Sequence, residues 1–98
     1  MNATLPLSGR TALITGGTRN IGKGVALHLA KLGANVCINS RQKDADSEKT
    51  LALIAELNGK AFHFPANIAD EDNVNQMVKQ TVAQFGGVDI FVHSAGIR

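Results

Sequence analysis

Tyrosine is missing altogether from this 98-residue sequence, and cysteine occurs once. Without a phenol, these residues cannot perform a proton transfer in which tyrosine is the acid or base. The single thiol, Cys37, excludes an internal disulfide framework and a cysteine-based zinc site, and its place in an apolar run marks it as a small core residue. The histidines His28, His63 and His93 have no metal-ligand spacing, so no metal site is expected. No apolar run approaches the roughly 20 residues that a membrane-spanning helix needs. The first residues also lack the charged and apolar regions of a secretory signal. Charge of one sign is scarce: the net charge of +2 is too small and too evenly spread to form a nucleic-acid or membrane surface. The expectation is a cytoplasmic protein with neither partner. No repeat, low-complexity tract or linker divides the chain, so residues 1–98 read as one structural unit, whole or partial.

What is present is an alternation of apolar periods. A strand is expected at 10–15, followed from residue 21 by Ile21, Val25, Ala26, Leu29 and Leu32 at helical spacing, with Gly33 ending that helix. A second strand at 35–39 leads through a polar stretch to a helix at 46–57, with Leu51, Ile54 and Leu57 on one face. A third strand at 60–65 precedes a helix at 70–85 that carries Val74, Met77, Val78, Val82 and Phe85 on one side. Asp70, Glu71 and Asp72 suit the positive end of that helix, Gly86-Gly87 breaks it, and a fourth strand follows at 89–93. Strands alternating with helices over short connections imply an α/β fold with a parallel sheet and right-handed crossovers. The expected order is 3-2-1-4, with a ligand at the carboxyl ends of strands one and four.

The most informative segment is Thr11-Ala-Leu-Ile-Thr15-Gly16-Gly17-Thr18-Arg19-Asn20-Ile21-Gly22, where the first strand turns into the first helix. Glycine lets backbone N–H groups approach an anion, and a helix start offers unpaired N–H donors and the positive end of a dipole. A site for a nucleotide's phosphates is therefore expected here. The spacing is not GxGxxG. It resembles the TGxxxGxG turn of the short-chain dehydrogenase/reductase family, with Asn20 in place of the middle glycine. Asparagine is the residue other than glycine that best tolerates positive φ, so the turn's shape is expected to survive. Asn67-Ile68 stands where that family has Asp-Val, and His93-Ser94-Ala95-Gly96 stands where it has Asn-Asn-Ala-Gly.

The resemblance implies a Rossmann-type doubly wound sheet, here truncated after its fourth strand, forming part of a dinucleotide-binding domain. It implies a nicotinamide cofactor held by Gly16, Thr18, Arg19, Asn20, Ile21, Gly22, Ser40, Arg41, Asn67, Ile68, Ser94, Ala95 and Gly96. NAD-selective domains place an acid at the end of the second strand, but this chain has Ser40-Arg41 there. Arg41 can meet a 2′-phosphate with paired N–H donors, and Arg19 matches the basic residue that NADP-preferring relatives carry in the turn. With no acid nearby in the sequence, NADP(H) is expected over NAD(H); the plainer reading makes both arginines solvated surface groups. Asn67 either bonds the adenine edge or closes its own loop. Thr18 is assigned to a phosphate, and Thr15 to bracing the sheet and turn.

In this family a Ser and a Tyr-x-x-x-Lys polarise a carbonyl or alcohol substrate, and all of them lie beyond the fourth strand. No catalytic residue is therefore assigned, and the chain alone is expected to be inactive. A Ser94–histidine nucleophile is disfavoured because His93 and Ser94 point to opposite faces of a strand. The resemblance implies a homo-oligomeric parent that reduces or oxidises a small carbonyl or alcohol. Two other readings stand beside it: a module that holds nucleotide without catalysis, and a relic that binds none.

Overall fold

The computed structural model describes residues 5–94. Seven elements alternate along the chain: β1 (Thr11–Thr15), α1 (Asn20–Lys31), β2 (Asn35–Ser40), α2 (Ala45–Glu56), β3 (Ala61–Pro65), α3 (Glu71–Phe85) and β4 (Ile90–His93). The four strands form one parallel sheet in the order β3-β2-β1-β4, which is the expected α/β topology. No observed element end departs from its expected position by more than one residue.

The continuous apolar runs of β1 and β2 occupy the two central places, where both sheet faces are covered. Strand alternation divides the core between those faces. Ala12, Ile14, Val36 and Ile38 pack with Ala26 and Ala30 of α1 and Ile54 of α2. Leu13 and Cys37, a register pair, turn the other way and meet Met77 of α3, flanked by Phe62 and Phe64 of β3. Helices α1 and α2 therefore cover one face and α3 the other.

Four apolar residues expected on buried helix faces lie exposed: Ile21 (56%), Leu57 (41%), Val78 (37%) and Val82 (44%). On α3 the fully buried positions are Met77 and Thr81, so the stripe against the sheet is narrower than the run of valines suggests. Phe91 of the edge strand β4 pairs in register with Leu13, yet it is 56% exposed and stands outside the cluster that Leu13 forms with Cys37 and Met77.

The chain moves from β1 outward through β2 to β3 and then crosses back to place β4 on the other side of β1. The strand order thus reverses between β1 and β4. Connections from strand ends diverge there and leave a crevice. Asp89 fastens the start of β4: its carboxylate accepts the Thr11 N–H at 2.8 Å, and its own N–H donates to the Thr11 carbonyl at 2.9 Å.

Candidate nucleotide-binding site

The turn after β1 closes tightly because two positions carry no Cβ or tolerate an unusual backbone. Gly16 has φ +68° and Asn20 has φ +53°, so asparagine does adopt the left-handed conformation in this turn. A Cβ on Gly22 would strike the Gly16 carbonyl group and the Ser94 hydroxyl. Gly22 is thus required by the close approach of α1 to both strand ends.

The start of α1 differs from the starts of the other two helices. Asp44 caps α2 in a reciprocal capping box with Ser47, and Asp70 caps α3 by accepting the Asp72 and Asn73 N–H groups. At α1 the cap residue is Arg19, whose side chain makes no capping bond, and the first turn holds no acid. The Gly17 N–H donates to the Asn39 carbonyl at 3.1 Å. Among the described residues, the N–H groups of Thr18, Arg19, Asn20, Ile21 and Gly22 find no acceptor. These donors border an open groove of about 990 Å³ at the carboxyl ends of the strands.

Every assigned site residue within the described part of the chain borders this groove: Gly16, Thr18, Arg19, Asn20, Ile21, Gly22, Ser40, Arg41, Asn67, Ile68 and Ser94. Ala95 and Gly96 lie outside the described residues. His93, from the motif after the fourth strand, also lines the groove, as do Asn39, Ala66 and Ala69, which the sequence did not single out. Asn39 is buried, and its Nδ2 donates to the carbonyls of Phe64 at 2.9 Å and Ala66 at 3.2 Å, tying β2 to the chain leaving β3. A polar residue ending an apolar strand is the signal that could have marked it.

Further hydrogen bonds brace the rim. Thr15 Oγ1 lies 2.9 Å from His93 Nδ1, so Thr15 does brace β1 against β4. The Ser94 hydroxyl donates to the Thr15 carbonyl, which commits its proton to the backbone. Ser40 Oγ lies 3.2 Å from the Gln42 carbonyl, to which it can donate, and 2.7 Å from Nε2 of His63, with the imidazole tautomer setting the direction of that second bond. Burial holds the His63 imidazole below its ordinary value, against the pull of Asp44 and with the push of Lys43. Asn67 closes its own loop through Oδ1, which accepts the Ala69 N–H at 3.0 Å; its Nδ2 has no partner among the described residues. No group of three or more potential metal ligands occurs among the described residues.

One expectation needs correction. Arg19 has no acid beside it in the sequence, but the fold brings Asp46 of α2 to 3.6 Å from its Nε. Residues remote along the chain meet here because α1 and α2 pack side by side on one sheet face. Arg41 is exposed and has no such ion pair among the described residues.

A parallel sheet of order 3-2-1-4, with a glycine turn at its switch point, belongs to the Rossmann-type doubly wound class. Residues 10–98 match the model of the short chain dehydrogenase family, and this chain belongs to that family. It is 42% identical over 91 residues to the 3-oxoacyl-[acyl-carrier-protein] reductase FabG of Staphylococcus aureus, covering 90% of this chain and 36% of that protein. Hydroxynaphthalene reductase arp2 of Aspergillus fumigatus is 37% identical over 94 residues, covering 96% and 34% of the two chains. Among solved structures, a dehydrogenase/reductase from Sinorhizobium meliloti superposes with a TM-score of 0.90 at 35% identity, covering 96% of this chain and 37% of that one. The chain spans about a third of the length of these relatives.

Proposed function

We propose that this chain is the cofactor-binding portion of an oxidoreductase that uses NADP(H) in preference to NAD(H) and acts on a carbonyl or alcohol substrate. The observation that carries the reading is the row of main-chain N–H groups from Thr18 to Gly22, without partners among the described residues, at the start of α1. Such donors, with the positive end of the helix dipole, suit a pyrophosphate. The groove of about 990 Å³ is large enough for a dinucleotide's adenosine end, since small-molecule sites run from roughly 300 to 1,000 Å³.

Each nearby side chain has a role in this reading. Thr18 adds a hydroxyl toward a phosphate, and Ile21 and Ile68 offer apolar surface to the cofactor. Asn67 offers its free Nδ2 to the adenine edge while Oδ1 keeps the loop closed. Arg19 and Arg41 receive the 2′-phosphate that distinguishes NADP from NAD, and the Ser40 hydroxyl turns its proton to it from the Gln42 carbonyl. Ser94 borders the nicotinamide side of the crevice in this reading. When bound, the nicotinamide supplies or accepts the hydride. With no tyrosine in the sequence, this chain contributes binding and orientation rather than proton transfer, and by itself turns over no substrate. We place the parent protein in the cytoplasm as a homo-oligomer.

Titration of the chain with NADPH and NADH, followed by nicotinamide fluorescence, tests this reading. Arg41→Asp is expected to weaken NADPH binding by about one to two decades, the value of a charge-assisted hydrogen bond of roughly 1.5–3 kcal/mol, while NADH changes little. Equal loss for both cofactors rejects the 2′-phosphate role. NADPH oxidation with any ketone of a small panel rejects the assignment of no turnover. Absence of binding at millimolar NADPH favours a relic.

A further inference from the structure

We propose that Asp46 is a specificity-determining residue of the nucleotide site: its carboxylate competes with the cofactor's 2′-phosphate for Arg19 and lowers the preference for NADP(H). The inference rests on the cofactor reading above and adds a residue of opposite charge to it.

Asp46 Oδ2 lies 3.6 Å from Arg19 Nε, and the two side chains are 48% and 71% exposed. At that separation and exposure the pair is a loose ion pair that a stronger anion can displace. Asp46 is the acid at the start of α2 whose carboxylate reaches a cation of the groove. Asp44 is committed to the capping box with Ser47, and Glu48 pairs with Lys43 at 3.8 Å.

Geometry holds Asp46 in place. One turn further along α2, the buried Thr50 hydroxyl lies 2.9 Å from the Asp46 carbonyl and 3.3 Å from the Thr18 carbonyl. Thr50 can donate its one proton to either acceptor, and so ties the first turn of α2 to the loop that carries Arg19. The backbone of Asp46 is therefore held close to the loop that carries Arg19, so its carboxylate stays within reach of the guanidinium even where an anion displaces the ion pair.

A 2′-phosphate entering this corner must take Arg19 from Asp46 and accept a negative neighbour. The uncharged 2′-hydroxyl of NAD(H) meets neither obstacle. Removing the charge is thus expected to act on one cofactor and hardly on the other.

The test titrates the full chain, unsubstituted and as Asp46→Asn, with NADPH and with NADH. Asp46→Asn is expected to tighten NADPH binding about three- to ten-fold and NADH binding less than about two-fold, as for loss of one exposed like charge at short range. The NADPH gain is expected to shrink as ionic strength rises from about 0.05 to 0.5 M, because screening shortens the reach of the carboxylate. Asp46→Ser, which keeps a residue suited to a helix start, gives the same result if the charge is responsible. Unchanged or weaker NADPH binding in both variants overturns the proposal while leaving the NADP(H) reading intact. An equal gain for both cofactors also overturns it. Failure of NADPH to bind any of the three proteins overturns both readings.

Discussion

Gly22 and Asn20 illustrate two ways in which one residue shapes the phosphate turn. Asn20 supplies a positive φ, which asparagine tolerates, whereas Gly22 supplies the absence of a Cβ against the Gly16 carbonyl and the Ser94 hydroxyl. Gly22→Ala is expected to be far more damaging than Asn20→Gly. Overpacking against backbone costs about 1–3 kcal/mol, and here the displaced atoms belong to the binding turn itself. A lower melting temperature with at least a ten-fold weaker NADPH affinity is the expected result; an alanine variant that binds normally contradicts this account. Both residues were legible because turn chemistry is local. Asp46 was not, since its meeting with Arg19 depends on how α1 and α2 lie together. The Thr15–His93 contact was hidden for the same reason, as it joins strands from opposite ends of the chain.

At the scale of elements, helix starts divide into two kinds. Asp44 and Asp70 satisfy the first amides of α2 and α3, while α1 begins at Arg19 with no capping side chain. Loss of a cap of this kind costs about 1 kcal/mol. Asp44→Ala is therefore expected to lower the melting temperature by about 4–8 °C, as followed by far-UV circular dichroism. An unchanged melting temperature shows that the capping box adds nothing to stability. Element types and order were legible because apolar periods of two and of 3.6 are distinct and glycines punctuate them. The burial of α3 was less legible: Val78 and Val82 keep helical spacing but lie exposed, whereas the polar Thr81 is buried. Thr81 tolerates burial because its hydroxyl donates to the Met77 carbonyl one turn earlier at 2.8 Å.

The whole molecule is held by a two-faced sheet, and Cys37 reports on the face under α3. Its thiol is fully buried, and burial raises its pKa from 9.0 to about 11, with the polarity of the neighbouring Thr81 hydroxyl acting the other way. Between those values the unfolded chain has released the thiol proton and the folded chain has kept it, so stability is present below pH 9 and falls as pH rises toward 11. The loss attributable to this group is on the order of 2 kcal/mol. Denaturant titrations between pH 8 and 11 are expected to show that slope, and Cys37→Ala is expected to flatten it. An identical slope in the variant assigns the loss to other groups.

The sequence by itself determined the strand and helix alternation, the parallel sheet of order 3-2-1-4 and the position of the glycine turn. Each follows from hydrophobic period, turn residues and the handedness of crossovers, which act over a few residues or constrain every chain alike. Only the tertiary structure decided which amides stay unpartnered, that Asp46 faces Arg19, and that Asn39 staples β2 to the end of β3. Those contacts join groups from separate elements, and they exist only once packing has fixed how the helices lie across the sheet.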